Sequence, residues 1–421
     1  MTAHDDTITD PAFWRRPLQE RMDHFAGLRE RSPFVEAEVY GVLSGARERF
    51  FASTRYADVV EISRRPADFC SGRGSTSVQD MPEQAMEYFG SFIAMDDPRH
   101  ARQRGIVARS FTPRQLQKVL DSVETTCAEV VDDLCERGEV DLVAAFSERF
   151  PLLVICDMMG IPRSEFGTVL AATNVILGAG DPEMLGGRDI PSAMLESGMA
   201  LTALMNDLTE RRRREPADDL TTALAHAELG EDMLTTAEIA SFFILLAVAG
   251  NDTTRTAITA GMLLLADNPG ERARWQADLA GIGPTAVEEI VRMAAPVTFM
   301  RRTVTRPLTL SGHEFAAGDK VVLFYGAASR DPAEFPDPDR FDVTRTPNAH
   351  LGFGGPGPHF CLGAHLARRE LTVAFRQLLT RLPDIEVAGD PVPLQSVGIP
   401  LVSGIKRLPV RFTPVARAAA G

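Results

Sequence analysis

A lone cysteine at the end of a Gly/Pro-rich loop constrains this chain more than any other feature. The string reads Phe353-Gly354-Gly355-Pro356-Gly357-Pro358-His359-Phe360-Cys361-Leu362-Gly363, and a helical run over 362–382 follows it. Cys361 is therefore placed where free amide N–H groups and the positive end of a helix dipole stabilise a thiolate. Gly and Pro fix the loop, while Gly357 and Gly363 leave room for a flat, bulky group to approach the backbone. No Cys-x-x-Cys partner accompanies Cys361, which argues against a zinc or iron–sulfur cage. One thiolate, a glycine-lined approach and a helix behind it suit axial ligation of a haem iron. A buried structural cysteine after an ordinary loop is the alternative.

Helical periodicity dominates the rest. Helices are expected over 116–136, 192–215, 236–268, 271–279, 284–293 and 361–382. Strand-like pieces are short and fall in two clusters, 35–43 with 48–52 and, later, 304–310, 320–324 and 408–412. The expectation is a mainly α fold with a small β portion assembled from distant segments. Residues 71–92 are irregular and long for a connection, hence a candidate binding loop or lid. Length alone suggests about three domains at roughly 150 residues each. No linker or repeat divides the 421 residues, so a single domain over 1–421 is expected.

The N-terminus, Met1-Thr2-Ala3-His4-Asp5-Asp6, has neither the basic nor the apolar segment of a leader, and the longest apolar run, 242–250, is too short to span a bilayer. A cytoplasmic, unanchored protein with no membrane partner is expected. The net charge of −14 argues against nucleic acid. Five cysteines in so long a chain frame no disulfide scaffold; Cys70, Cys127, Cys135 and Cys156 read as packing residues.

The helix over 236–268 carries Ala249-Gly250-Asn251-Asp252-Thr253-Thr254-Arg255 after an all-apolar start. Ala249-Gly250 is a notch that permits close approach of a ligand. An acid and an alcohol follow it, and such a pair suits proton delivery to a bound oxygen while water is held out. A hydroxyl that also bonds a carbonyl one turn back opens a helix locally. The alternative takes Asn251-Asp252-Thr253 as the N-cap of a new helix.

Together these strings resemble the cytochromes P-450, and the resemblance runs from Asp97-Pro98-Arg99-His100 to Gly404-Ile405-Lys406-Arg407-Leu408-Pro409-Val410. It implies the P-450 fold, a haem-thiolate loop over 350–363 and an oxygen-activation helix over 236–268. Cys361 would be the axial thiolate of haem b, with O2 as co-substrate, and Thr253 and Asp252 would manage protons. His100, Arg104, Arg302 and His359 would meet the haem propionates, and Ala249, Gly250, Phe353 and Gly363 would lie against the cofactor. Glu289-Ile290-Val291-Arg292 matches the family's Glu-x-x-Arg, completed by Arg340 in a structural ion network. One departure is the loop's length: Phe353 stands one residue further from the cysteine than is common. That longer loop resembles the bacterial branch that hydroxylates cholesterol side chains and methyl-branched lipids.

The resemblance implies a monooxygenase that inserts one oxygen atom into a C–H bond of an apolar small molecule, a steroid, branched lipid or terpenoid. Phe92, Leu246, Ala249, Val297, Met300 and Val402 are candidate substrate walls. It also implies electrons from a separate ferredoxin and an NAD(P)H-dependent reductase, docking on a locally basic face that includes Arg102, Arg109, Arg114, Arg368 or Arg369. Two rivals remain at this stage: a haem-binding sensor or carrier without turnover, and a cysteine hydrolase that needs no cofactor.

Overall fold

The computed structural model describes residues 3–41, 45–80, 91–110, 113–178, 180–229 and 232–418. Its longer helices are α1 (Leu18–Arg31), α2 (Tyr56–Arg64), α3 (Arg99–Ser110), α4 (Pro113–Leu134), α5 (Arg149–Met159), α6 (Phe166–Leu177), α7 (Ile190–Arg214), α8 (Thr236–Asp267), α9 (Pro269–Ala277), α10 (Leu279–Ala294) and α11 (Ala364–Arg381). The spine is α8, 32 residues long. A capping box starts it: Thr235 Oγ1 accepts from the Glu238 N–H, and Glu238 accepts from the Thr235 N–H. Its apolar residues run all round the helix because α5, α6, α7, α10 and α11 pack against it from different sides.

Gly261 marks the tightest of these contacts. A Cβ there would collide with the Phe375 ring of α11 and approach Ile290 of α10 to 3.0 Å. The glycine, unfavourable in a helix interior, is where three helices touch.

A sheet of β1 (Phe34–Tyr40), β2 (Arg47–Ser53), β3 (Phe69–Cys70), β4 (Phe299–Val304) and β5 (Lys320–Phe324) has the order β1-β2-β5-β4-β3. Only β5 and β2 pair in parallel, a junction between segments far apart in sequence. Side chains alternate along a strand, so Arg301 and Arg302 of β4 leave the sheet on opposite faces.

The six expected helices and the mixed sheet are present. Helix α8 continues straight through Asn251-Asp252-Thr253, so those residues are helix interior and not a cap. Helix α10 begins at Leu279, one turn before Pro284, which sits inside it rather than starting it. The strand expected over 304–310 divides at Arg306-Pro307. Its first part ends β4, and Leu308–Leu310 forms a hairpin with His313–Phe315. Part of the expected lid over 71–92 and part of the strand over 35–43 lie outside the described residues.

Gly261→Ala should lower folding stability by about 1–3 kcal/mol, the usual range for overpacking a tight core. A thermal melt of the variant reads this directly, and an unchanged melting temperature would contradict the contact.

Candidate active site

The loop before α11 is held by backbone and by charge. The Cys361 N–H donates to the Phe353 C=O at 3.0 Å, which closes the loop and fixes the sulfur's position. Phe353 lies beneath the Arg368 guanidinium, 4.4 Å from ring centroid to Cζ, with the His350 ring 5.7 Å away. Arg368 binds both oxygens of Glu288 at 2.5 and 2.8 Å, and His350 Nε2 lies 3.0 Å from the same carboxylate. Burial works against ionising Glu288, but hydrogen bonds from Arg368 and His350 prevail and bring its pKa down to about 2. This clamp defines the packing of Phe353 despite the lengthened loop.

The glycines divide their work differently from the sequence reading. Gly357 (φ +155°) is pressed against the Ser63 C=O at the end of α2, so its missing side chain serves close backbone packing. Gly363, just before α11, faces open space. Cys361 is exposed, just before α11. Burial pushes its pKa up, opposed by the Gly363 N–H and by Arg104 and Arg368.

On α8, Ala249 is exposed between buried or half-buried neighbours. At Gly250 a Cβ would approach Ile155 Cδ1 of α5 to 2.9 Å, so the missing side chain serves the packing of α8 on α5. Thr253 Oγ1 donates to the Ala249 C=O at 2.6 Å, a back-bond to the preceding turn of a helix that continues unbroken.

Asp252 is 1% exposed; its Oδ1 meets Arg255 Nη2 at 3.1 Å, and its buried Oδ2 has no partner among the described residues. Burial raises its pKa to about 6, against the pull of Arg255. Arg255 also donates to Asn174 Oδ1 of α6 at 3.0 Å and lies 3.5 Å from Glu148 Oε2. Two residues after Asp252, Thr254 Oγ1 donates to Glu370 Oε2 of α11 at 3.3 Å. Glu370 is buried, its Oε1 has no partner among the described residues, and burial raises its pKa to about 8.

His100 and Arg104 of α3 reach the same loop. The His100 and His359 rings lie 4.3 Å apart, and Arg104 Nη2 donates to the Phe360 C=O at 2.7 Å. His100 Nε2 is buried without a partner among the described residues. Burial, then the charges of Arg302, His100 and Arg104, push the pKa of His359 down to about 3. Arg302 therefore faces this cluster. Arg301 leaves the other face of β4 and is engaged by the Arg73 and Val78 carbonyls and by Asp80.

The ion network holds a correction. Glu289 and Arg292 are fully buried and bidentate, at 2.7 and 2.8 Å. Arg340, expected as the third member, has a side chain 60% exposed whose ion pair is with Asp342 at 3.8 Å. Arg345 takes the place: its Nε meets Glu289 Oε1 at 3.2 Å and its side chain is 11% exposed. The segment turns at Asp337 (φ +47°), and Arg345 also donates to the carbonyls of Pro336, Asp337 and Arg340. Arg340 contributes only its carbonyl, which accepts from Arg292 as well.

Of the candidate walls, Val297 and Val402 form a β-bridge, and Leu246 and Met300 are half-buried. Phe92 is buried, stacked 6.0 Å from Phe242 of α8. The basic face expected behind Cys361 is largely neutralised. Arg102 pairs with Glu238, Arg368 with Glu288 and Arg369 with Glu124, while Arg109 is exposed. The side chain of Arg114 lies outside the described residues.

Sequence reasoning missed Arg345, Glu148, Glu370 and the Glu288–His350–Arg368 clamp. Arg255, three residues after Asp252 on one helix face, carried a readable signal. The others meet only through the fold.

The comparisons agree with this geometry. The Cytochrome P450 family profile matches residues 284–394. A methyl-branched lipid omega-hydroxylase of Mycobacterium tuberculosis is 44% identical over 95% of this chain and 93% of its own length. A steroid C26-monooxygenase of Mycolicibacterium smegmatis is 33% identical over 96% and 92%. Among solved structures, a Mycobacterium marinum cytochrome P450 in complex with pseudoionone superposes with a TM-score of 0.91 at 39% identity, covering 98% of this chain and all of that one. The chain belongs to the cytochrome P450 family, and so is a haem-thiolate monooxygenase. Its residues fit haem b. An accessible thiol and an exposed Ala249 offer surfaces to a flat group, and the unpartnered His100 Nε2 and the positive charge around His359 call for anions such as propionates.

Two outcomes follow. Arg345→Ala should cost about 3 kcal/mol, as removal of one partner from a buried ion network does, whereas Arg340→Ala should stay within about 0.5 kcal/mol. Urea denaturation of both variants separates Arg345 from Arg340 as the third member. For Glu370, the folded state keeps a proton between pH 4.5 and about 8 that the unfolded chain releases. Its contribution to stability therefore falls as pH rises through that window. Glu370→Gln should remove this slope, read as a flatter dependence of the urea midpoint on pH.

Proposed function

We propose that this chain hydroxylates an unactivated C–H bond of a branched, apolar molecule of lipid or terpenoid type. In this reading Cys361 is the axial ligand, Thr253 and Asp252 handle protons, and His100, Arg104, Arg302 and His359 hold the propionates. The observation that carries it is the pairing of an accessible Cys361 thiol with an acid–alcohol pair beside the exposed Ala249 on a buried helix. The bound haem supplies dioxygen binding and activation.

The protein residues supply control. At rest the Thr253 hydroxyl donates a hydrogen bond to the Ala249 carbonyl, so its oxygen is oriented with its lone pairs free to accept another hydrogen. Asp252, with a pKa near 6, is mostly ionised at neutral pH yet protonates readily, which suits repeated proton transfer. When Thr253 passes its hydrogen toward the reacting centre, a proton from Asp252 replaces it, and the hydroxyl is unchanged over a cycle. The apolar flanks of α8 keep bulk water out, which protects the proton supply from short-circuiting.

Leu246, Ala249, Val297, Met300, Phe92 and Val402 then surround the substrate with apolar surface. The choice of substrate rests on relatives named for methyl-branched lipid and steroid oxidation and on the pseudoionone complex. Electrons come, in this reading, from a separate ferredoxin and its NAD(P)H-dependent reductase, consistent with a chain that carries no Cys-x-x-Cys. The whole of 1–421 acts as one unit in the cytoplasm. No helix among the described residues is long and apolar enough to cross a membrane.

The reduced, carbon-monoxide-treated holoprotein should absorb at the red-displaced position of a thiolate-ligated haem, and Cys361→Ala should abolish that band. Retention of the band in the variant sinks the assignment. Thr253→Ala should keep the band and substrate binding but divert NAD(P)H consumption into peroxide. Asp252→Asn should slow turnover by roughly 10²-fold, as loss of a positioned proton donor does. Titrating methyl-branched fatty acids, steroids and pseudoionone and reading the spin-state shift tests the substrate class; no shift with any of the three defeats it.

A further inference from the structure

We infer that Glu148 is the solvent-side proton inlet of this enzyme, feeding Asp252 through a shared hold on the Arg255 guanidinium. The inference rests on the proposed role of Asp252 and Thr253 and extends it to a residue on another element.

Four observations carry it. Asp252 is sealed from solvent, so its proton must be relayed from elsewhere. Glu148 lies in the same polar cluster with a side chain 16% exposed, which gives it the contact with water that Asp252 lacks. The two carboxylates take adjacent nitrogens of one guanidinium: Asp252 Oδ1 is 3.1 Å from Nη2, and Glu148 Oε2 is 3.5 Å from Nη1. Finally, Asp252 Oδ2 is buried with no partner among the described residues, leaving an acceptor open in that cluster.

Backbone geometry places Glu148 there. It closes a π-helical turn, Val143–Ser147, with its N–H donating to the Val143 C=O at 3.1 Å. Such wide turns often carry functional side chains. Facing Glu148 are Arg255 and Asp252 of α8, Asn174 of α6, and Asp141 upstream. Burial raises its pKa, opposed by Arg255 and a hydrogen bond from Asn174, while Asp252 and Asp141 raise it further. Two carboxylates around one arginine leave an unbalanced negative charge, which a single proton neutralises.

The transfer balances without any electron. A proton from bulk water binds the Glu148 carboxylate and passes through an intervening water to Asp252 Oδ2. Asp252 gives it to Thr253, and solvent recharges Glu148. Arg255, always protonated, cannot carry it and instead positions both acids.

The test uses the holoenzyme with ferredoxin, reductase and pseudoionone as the probe, comparing wild type with Glu148→Gln and Glu148→Asp. Glu148→Gln should keep the carbon-monoxide band and the spin-state titration. Dioxygen-driven turnover should fall about tenfold, in the lower part of the range for loss of a proton-transfer group, with a larger solvent isotope effect. Turnover driven by hydrogen peroxide, which brings its own protons, should be unchanged. Glu148→Asp should restore most of the dioxygen-driven rate. Independently of turnover, urea unfolding across pH 5–7 should be non-additive for Glu148→Gln, Asp252→Asn and the pair. Equal losses in both modes of turnover, an unchanged isotope effect, or additive unfolding would each overturn the inlet. A wild type without the carbon-monoxide band would instead overturn the Cys361 assignment.

Discussion

Everything in the site depends on where one sulfur is held, and that is set by a backbone hydrogen bond from the Cys361 N–H to the Phe353 C=O. The bond closes the loop on itself, so the thiol cannot drift with the N-terminus of α11. Phe353 in turn is covered by Arg368, and Arg368 is committed to a Glu288 carboxylate whose pKa lies near 2. A charge pair on α10 and α11 thus reaches the sulfur through an aromatic ring. The glycines between Phe353 and Cys361 let the loop lie against α2. Gly357 does so by packing on the Ser63 carbonyl, a contact that no residue with a side chain could make.

Buried charge recurs in this protein in two forms with opposite consequences. Around Glu289 the charges are saturated: the carboxylate accepts from Arg292, Arg345, Asn348 and the Asp342 N–H. Such a network fixes geometry and is expensive to break. Asp252 and Glu370 are short of partners, each with one oxygen that has none among the described residues. There the burial cost is left partly unmet, so these acids titrate near neutrality. The first form suits scaffolding and the second suits proton handling.

Residue strings with local meaning were legible in the sequence. The Cys361 loop, the Ala249-to-Thr253 string and the Glu289–Arg292 pair each lie within a few residues, and helix periodicity located α4, α7, α8, α9, α10 and α11. Helices α1, α2, α3, α5 and α6 escaped because their patterns are interrupted or uniformly apolar, as in α5, where nine of eleven residues are buried. Arg340 was mistaken for Arg345 because both follow the same Pro-rich segment. Arg345 is 11% exposed and pairs with Glu289 while Arg340 is 60% exposed, a difference that spacing alone does not encode. Glu148, Glu370 and Glu288 were invisible for a simpler reason: their partners lie on other helices.

The position of the acid–alcohol pair within α8 explains why a helix interior was used and not a cap. At an N-cap, Asp252 would spend its carboxylate on backbone N–H groups and its pKa would fall. Inside a continuous helix those N–H groups are already taken, so burial raises the pKa of the carboxylate and the Arg255 guanidinium opposes it. Thr253 gains likewise, since a mid-helix hydroxyl has the Ala249 carbonyl one turn back as its resting acceptor. Continuity of α8 is therefore a chemical requirement as well as a packing one, and the capping box at Thr235 and the three-helix contact at Gly261 maintain it on either side of the site.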